Sequence, residues 1–168
     1  RGFLAPVIQP TATLTGSDET CATLGFSLAM NSDTIATGSV SVAPGSVCVF
    51  TKPPSGWMNM TQSAELSVLS MVQFALGASV TISGHMVAAG APGAQANGHG
   101  AFYGYSEPPS GWVNTTTPNL FRTSSDGAEF DDFGWSIVAS GKTVLVGAPF
   151  HAVNGNAGQG AAYVFQPK

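Results

Sequence analysis

The sequence predicts an all-β protein made of a four-stranded antiparallel unit used three times, and three observations carry that expectation. The first is internal similarity: Phe133-Gly134-Trp135-Ser136-Ile137 answers to Leu76-Gly77-Ala78-Ser79-Val80 and to Leu24-Gly25-Phe26-Ser27-Leu28, with the glycines 52 and then 57 residues apart. A period of about 50 residues marks one supersecondary unit repeated along the chain. Gly147-Ala148-Pro149 likewise answers to Gly90-Ala91-Pro92 and, in degraded form, to Gly38-Ser39. The second is composition: 8% of the 168 residues are charged, while 21 are Gly and 11 are Pro. Disordered chains combine low hydrophobicity with high net charge, and this one does not. The third is punctuation. Short β-branched or aromatic runs are separated by Asn-Ser-Asp, Ala-Pro-Gly or Pro-Pro-Ser-Gly, where Pro presets φ, Gly permits positive φ, and Asn and Asp close their own turns.

Taken in order, residues 1–10 contain two prolines and no period and read as an extended arm. Residues 11–15 (Thr11, Ala12, Thr13, Leu14, Thr15) alternate like a short strand. They resemble residues 63–67 and 118–121, which precede the other two Gly motifs, so they are expected to form an orphan outer strand, the last of a unit whose earlier strands are absent. The first unit spans 24–66, with strands expected over 26–30, 34–38, 46–51 and 57–66. The second spans 76–121, with strands over 78–83, 85–91, 101–105 and 112–121. The third spans 133–166, with strands over 135–140, 142–148 and 161–166, and lacks an outer strand. The near-continuous apolar run at 143–148 predicts a strand covered on both faces. Cys48 and Phe50, Tyr103 and Tyr105, and Tyr163 and Phe165 alternate along the third strands. They are expected to stack the units through an aromatic layer.

Four short strands per unit at this period describe β-propeller-type blades. The Phe-Gly…Gly-Ala-Pro signature, the Gly-x-Gly-Ala-Ala-Tyr-Val-Phe run ending at Phe165 and the Ser-Gly-Trp at Trp57 and Trp112 resemble the FG-GAP repeats of integrin α-subunit-like β-propellers and of surface proteins of bacteria and algae. The resemblance is strongest in the third unit and weakest in the first. It implies blades, an extracellular or cell-surface setting, and recognition through propeller loops. Many such repeats also carry an Asp-x-Asp-x-Asp-Gly calcium loop after Gly-Ala-Pro, which supplies the oxygen shell that Ca²⁺ needs. The corresponding loops here, 93–100 and 150–160, contain no carboxylate, so no cofactor is expected and calcium is unsupported by the loops. The one acidic cluster, Asp126, Glu129, Asp131 and Asp132, is a weak cation-site candidate; the alternative is a solvated loop in which Asp126-Gly127 turns and Asp132 caps the turn.

A net charge of -4 without a basic cluster gives no means of neutralising a row of phosphates, which excludes nucleic acid as the expected partner. No run of 18 apolar residues could span a bilayer as a helix. Starting at Arg1 rather than Met, the chain is expected to have lost a leader or a larger precursor, or to be a fragment of a longer propeller. Two sequons, at Asn59 and Asn114, each lie two residues after the Trp of a Pro-Pro-Ser-Gly-Trp repeat, and equal placement favours glycosylation over ordinary turn use. Cys21 and Cys48, the only cysteines, are expected to form one disulfide in an exported protein, with burial of free thiols as the alternative.

Candidates for chemistry are poor. His85, His99 and His151 sit in separate turns and no Gly-x-Ser-x-Gly elbow exists. The glycines around Gly155 to Gly160 precede no helix that could bind phosphate. Trp57, Trp112 and Trp135 could stack on sugar, but the first two recur at one position, which favours packing. Three units fall short of the four to eight blades of a closed propeller, and an incomplete blade leaves an edge that invites pairing. The expectation is therefore a non-enzymatic, secreted, glycosylated building block that self-assembles into a ring or filament by strand complementation or serves adhesion. The alternative is a ligand-binding module for an extracellular protein or glycan.

Overall fold

The structure, a computed structural model, describes residues 9–70, 74–94 and 98–167. Most of the expected N-terminal arm, residues 1–8, lies outside the described residues, as do positions 95–97 of the loop after Pro92.

Thirteen strands and one 3₁₀ turn are present among the described residues. Sheet 1 comprises β2 (Leu28–Met30), β3 (Thr34–Ser39), β4 (Ser46–Thr51) and β6 (Ala64–Leu66) in that spatial order, all antiparallel. Sheet 2 repeats the meander with β7 (Ser79–Ser83), β8 (Met86–Ala91), β9 (Ala101–Ser106) and β10 (Leu120–Arg122). Sheet 3 stops at three strands, β11 (Ser136–Ser140), β12 (Thr143–Ala148) and β13 (Ala161–Phe165). Two short strands remain: β1 (Leu14–Thr15) pairs in parallel with β5 (Met60–Thr61).

The local reasons are visible in the turns. Asn31 Oδ1 accepts from the Asp33 and Thr34 amides at 3.0 and 2.8 Å and so closes the β2–β3 turn. In the two-residue turns after Ser83 and Ser140, Gly84 and Gly141 take φ of 58° and 57°. That left-handed backbone matches the twist of a hairpin and is cheap only for glycine and a few polar residues.

The register makes the three sheets superimposable as a pattern: Gly38 faces Val47, Gly90 faces Phe102 and Gly147 faces Ala162 across the central hairpins. Two apolar layers then hold the stack together. Ala36, Val47, Val49 and Leu66 of sheet 1 pack on Val80, Val87, Ala89 and Tyr105 of sheet 2. Ala88 and Phe102 of sheet 2 pack on Phe133, Val144, Val146 and the partly buried Phe165 of sheet 3. Phe102 and Phe165 meet edge to face with centroids 5.2 Å apart, and Phe133 and Tyr163 do so at 5.4 Å. A third cluster, Cys21, Cys48 and Phe50 with Leu14, Leu24 and Trp57, covers part of the far side of sheet 1. Of the expected aromatic layer, Tyr103 and Tyr105 lie between sheets 1 and 2 and Tyr163 and Phe165 between sheets 2 and 3, whereas Cys48 and Phe50 face the far side of sheet 1.

Several expected boundaries are corrected. Residues 57–66 are not one strand; β5 and β6 are separate because Met60 and Thr61 turn away from sheet 1 to pair with β1. Residues 112–121 likewise reduce to β10, since Thr115 engages Leu66 of sheet 1 and Pro118 has no amide to donate to a ladder. The orphan strand 11–15 forms only at Leu14 and Thr15 and is seated within its own chain. Strand β12 is not covered on both faces, because Leu145 is 40% exposed while Val144 and Val146 are buried.

Candidate interaction surfaces

The contact that joins the sheets is made twice and follows one plan. A Cβ added to Gly38 would lie 1.8 Å from the carbonyl oxygen of Gly77, and one added to Gly90 would lie 1.9 Å from that of Gly134. Only glycine allows the two backbones this close. Hydroxyls fasten the same seam: Ser27 Oγ donates to the Gly77 carbonyl at 2.7 Å, and Ser79 Oγ to the Gly134 carbonyl at 2.8 Å. One turn further out, Asn31 Nδ2 donates to the Gly84 carbonyl at 3.4 Å and Ser83 Oγ to the Gly141 carbonyl at 2.8 Å. Parallel bridges between Gly45 and Leu76, and between Gly100 and Phe133, complete each junction.

A second, peripheral clasp is also repeated. Asn114 Oδ1 accepts from the Glu65 amide at 2.8 Å, the Thr115 amide donates to the Glu65 carbonyl at 2.9 Å, and the Ser67 amide donates to the Thr115 carbonyl at 2.9 Å. Asn59 Oδ1 accepts from the Thr13 amide at 2.8 Å, and the Met60 amide donates to the Thr13 carbonyl at 3.3 Å. Asn59 and Asn114 are therefore exposed side chains with a backbone partner on the outer strand of the preceding unit. Sequence reasoning found both residues as sequons and missed this role; its signal was their equal placement after Trp57 and Trp112.

It follows that β1 is to sheet 1 what β6 is to sheet 2. The Cys21–Cys48 disulfide, with Cα atoms 6.2 Å apart, holds this N-terminal segment against β4, and no free cysteine occurs among the described residues. Ser17 and Gln62 add two hydrogen bonds between the segment and β5's neighbour, at 2.9 and 2.8 Å.

Each end of the stack carries half of the junction. At the sheet 1 end, Gly25, the counterpart of Gly77 and Gly134, would place a Cβ with nothing within 4 Å. Phe26, Leu28 and Met30 are 59–69% exposed there, whereas Val80, at the place of Leu28, is buried. At the sheet 3 end, Gly147 meets only Ser136 of its own hairpin. Val138, Leu145 and Val164 are exposed, while Thr81, Ala88, Ala36 and Val49 at the corresponding places are buried.

The acidic cluster resolves into separate duties. Asp131 is buried; its Oδ2 accepts from the Ala128 amide at 2.7 Å and lies 2.7 Å from His151 Nδ1. Burial works to raise its pKa, but the Ala128 amide and His151 outweigh burial and hold the carboxyl below the usual value. Asp126 accepts from the Tyr163 hydroxyl at 2.8 Å and lies 3.6 Å from His151 Nε2. Burial, followed by the Asp126 hydrogen bond, pushes the Tyr163 phenol up. Asp132 is raised by burial and by neighbouring Asp131. The residue that caps the turn is thus Asp131, through Ala128, and not Asp132 as expected. Among the described residues no group of three or more His, Cys, Asp and Glu is placed to hold a metal ion, and the carboxylates of Asp126 and Asp131 serve His151, Tyr163 and a backbone amide instead.

A cleft of about 480 Å³ opens between sheets 2 and 3, lined by Met86, Phe102, Leu120, Val144 and Phe165 with Arg122 at its rim. Between sheets 1 and 2, Trp112 packs beside Leu66 and Tyr105, the counterparts of Arg122 and Phe165. Trp57 packs in the cluster below sheet 1, and Trp135 is 56% exposed against Phe150.

Residues 123–165 match the model of the FG-GAP repeat family, so the segment from the acidic loop through sheet 3 is similar to an FG-GAP repeat. A comparison with curated proteins gives no match to this chain.

Proposed function

We propose that the chain is a non-enzymatic building block that associates with further copies of itself through the two ends of its sheet stack, in a ring or filament at the cell surface or outside the cell. One observation carries this reading: the ends expose complementary halves of a contact that the molecule already makes twice internally, between Gly38 and Gly77 and between Gly90 and Gly134. Apolar side chains gathered at an end are the usual mark of an interaction site. The disulfide supports an oxidising compartment, and the FG-GAP match supports a propeller-type module that binds a ligand or partner. Glycosylation at Asn59 and Asn114 is compatible with the clasp, because the clasp uses Oδ1 and the glycan bond forms on Nδ2.

Light scattering coupled to size exclusion, with negative-stain microscopy over a wide concentration range, tests this. Species larger than one chain are expected, and deletion of residues 1–15 is expected to abolish them. A monomer at every concentration overturns it. A second reading rests on the cleft between sheets 2 and 3, whose apolar walls and Arg122 suit a ligand with an apolar body and an anionic group. Saturable binding of such a ligand, lost in Arg122→Ala, by a chain that stays monomeric would favour it.

A further inference from the structure

We infer that the copies dock head to tail in the register of the internal junctions, with Gly147 of one copy on Gly25 of the next and the next copy's Leu14, Thr13 and Ala12 completing sheet 3 opposite Ala162, Tyr163 and Val164. This rests on the self-association proposed above and specifies which surfaces meet and in what alignment.

The register follows from the equivalences among the three sheets. Strand β6 pairs with β4 through Leu66 opposite Val47, Glu65 opposite Cys48 and Ala64 opposite Val49. Val47, Phe102 and Ala162 are equivalent because each faces the glycine of the central hairpin. Thr13 is equivalent to Glu65 because each gives its amide to the Asn that follows Trp57 or Trp112. Substituting equivalents puts Leu14 opposite Ala162, Thr13 opposite Tyr163 and Ala12 opposite Val164. Strand β1 is already held by β5 and by the disulfided segment, so it costs little ordering entropy to present. Its other edge is where a β4 counterpart would pair.

The face contact agrees independently. Ser136 and Ser140 stand where Ser27 with Asn31, and Ser79 with Ser83, donate across the closed junctions, and neither hydroxyl has a hydrogen-bond partner among the described residues. In the inferred alignment Ser136 Oγ reaches the Gly25 carbonyl, and Ser140 Oγ the Ser32 carbonyl, of the second copy. Gly147 and Gly25 supply the close backbone approach, and Leu28 and Met30 of the second copy cover Leu145. Leu145 replaces the alanines found at this place in sheets 1 and 2, so the central strand of this face presents a larger apolar side chain than its internal counterparts. The two surfaces differ, so the contact is heterologous: it propagates as a filament, or closes as a six-sheet ring of two copies.

Leu28→Arg and Leu145→Arg each charge one end at an exposed site, and circular dichroism confirms that each variant folds. Neither alone is expected to assemble; an equimolar mixture is expected to give a two-chain species and nothing larger, because one intact end remains on each. Register is read by oxidising Ala12→Cys/Val164→Cys and comparing it with the offset pair Ala12→Cys/Ala162→Cys on non-reducing gels. Only the first is expected to give chain-to-chain ladders. If the unsubstituted chain assembles but the mixture yields no dimer, or the offset pair cross-links as well, head-to-tail docking in this register is overturned and self-association stands. If the unsubstituted chain is monomeric throughout, both fall.

Discussion

Gly90 and Gly147 occupy the same position in two hairpins of nearly the same sequence, yet their surroundings have little in common. Around Gly90 the next backbone is so near that a Cβ would lie 1.9 Å from the Gly134 carbonyl oxygen; around Gly147 only the Ser136 hydroxyl is close. The comparison separates what the repeat needs for its own hairpin from what it needs for a neighbour. Glycine here is not a turn residue, since neither position has a positive φ. Its requirement comes from the adjoining sheet. Alanine at the two positions tests this directly. Gly90→Ala forces two backbones apart and should cost about 3 kcal/mol or more, as overpacking against a rigid backbone does. Gly147→Ala needs only a turn of the Ser136 side chain and should cost less than about 1 kcal/mol. Urea titration of the dilute proteins measures both; equal losses would show that the glycine serves the hairpin alone.

The two ends of the stack are held by different means, and that contrast gives the next prediction. Sheet 1 is tied to its N-terminal segment by a disulfide spanning 27 residues. In the chain-entropy account, removing a loop of that length costs about 3–4 kcal/mol. Cys21→Ser/Cys48→Ser is therefore expected to lower stability by that amount and to free β1 from β5, which faster amide exchange at Thr13 and Met60 would report.

At the other end, the loop ahead of sheet 3 is closed by Asp131 on His151 and the Ala128 amide. Losing this buried acceptor in Asp131→Ala should cost about 1–3 kcal/mol, less than the disulfide. The sign with pH is fixed by direction: the folded carboxyl titrates below its ordinary value. Its contribution is thus fully present above about pH 4, the unfolded range, and is lost as pH falls through the folded pKa. Acid titration of stability should be steeper for the unsubstituted chain than for Asp131→Ala below about pH 4. Parallel curves would remove Asp131 from the account.

What could be read in the sequence was whatever one unit states about itself. The strands 34–38, 46–51, 101–105 and 161–166 were legible because β-branched and aromatic runs lie between turn formers, and their observed bounds differ by a residue or so. The disulfide was legible because two cysteines leave one pairing. Less legible was anything settled between units. The runs 57–66 and 112–121 look like single strands, yet the first half of one pairs with β1 and that of the other with sheet 1, a choice no local propensity records. Leu145 reads as interior because its run is apolar, but burial depends on whether a fourth sheet covers it. His151 gave no sequence sign of partnering Asp131, 20 residues away. Ser27, Ser79 and Ser136 recur in the motif, and that recurrence was the available signal for the hydroxyl clasp.

The smallest effect concerns a residue with two possible duties. Asn114 is both the sequon residue and the acceptor for the Glu65 amide. Thr116 belongs only to the sequon, and no hydrogen bond involves its side chain among the described residues. The two roles are therefore separable by substitution. Asn114→Ala removes both and should cost about 1 kcal/mol in unglycosylated protein, the worth of a hydrogen bond at an exposed site. Thr116→Ala removes the sequon and keeps the clasp, so it should stay within about 0.5 kcal/mol. Asn59→Ala and Thr61→Ala form the matching pair at the seat of β1, where Asn59 holds Thr13. If the position is repeated for the clasp, the Asn variants lose stability without any glycan present and the Thr variants do not. If all four leave unglycosylated stability unchanged, the repeated Asn serves the sugar, and the seat of β1 depends on its pairing with Met60 and on the disulfide alone.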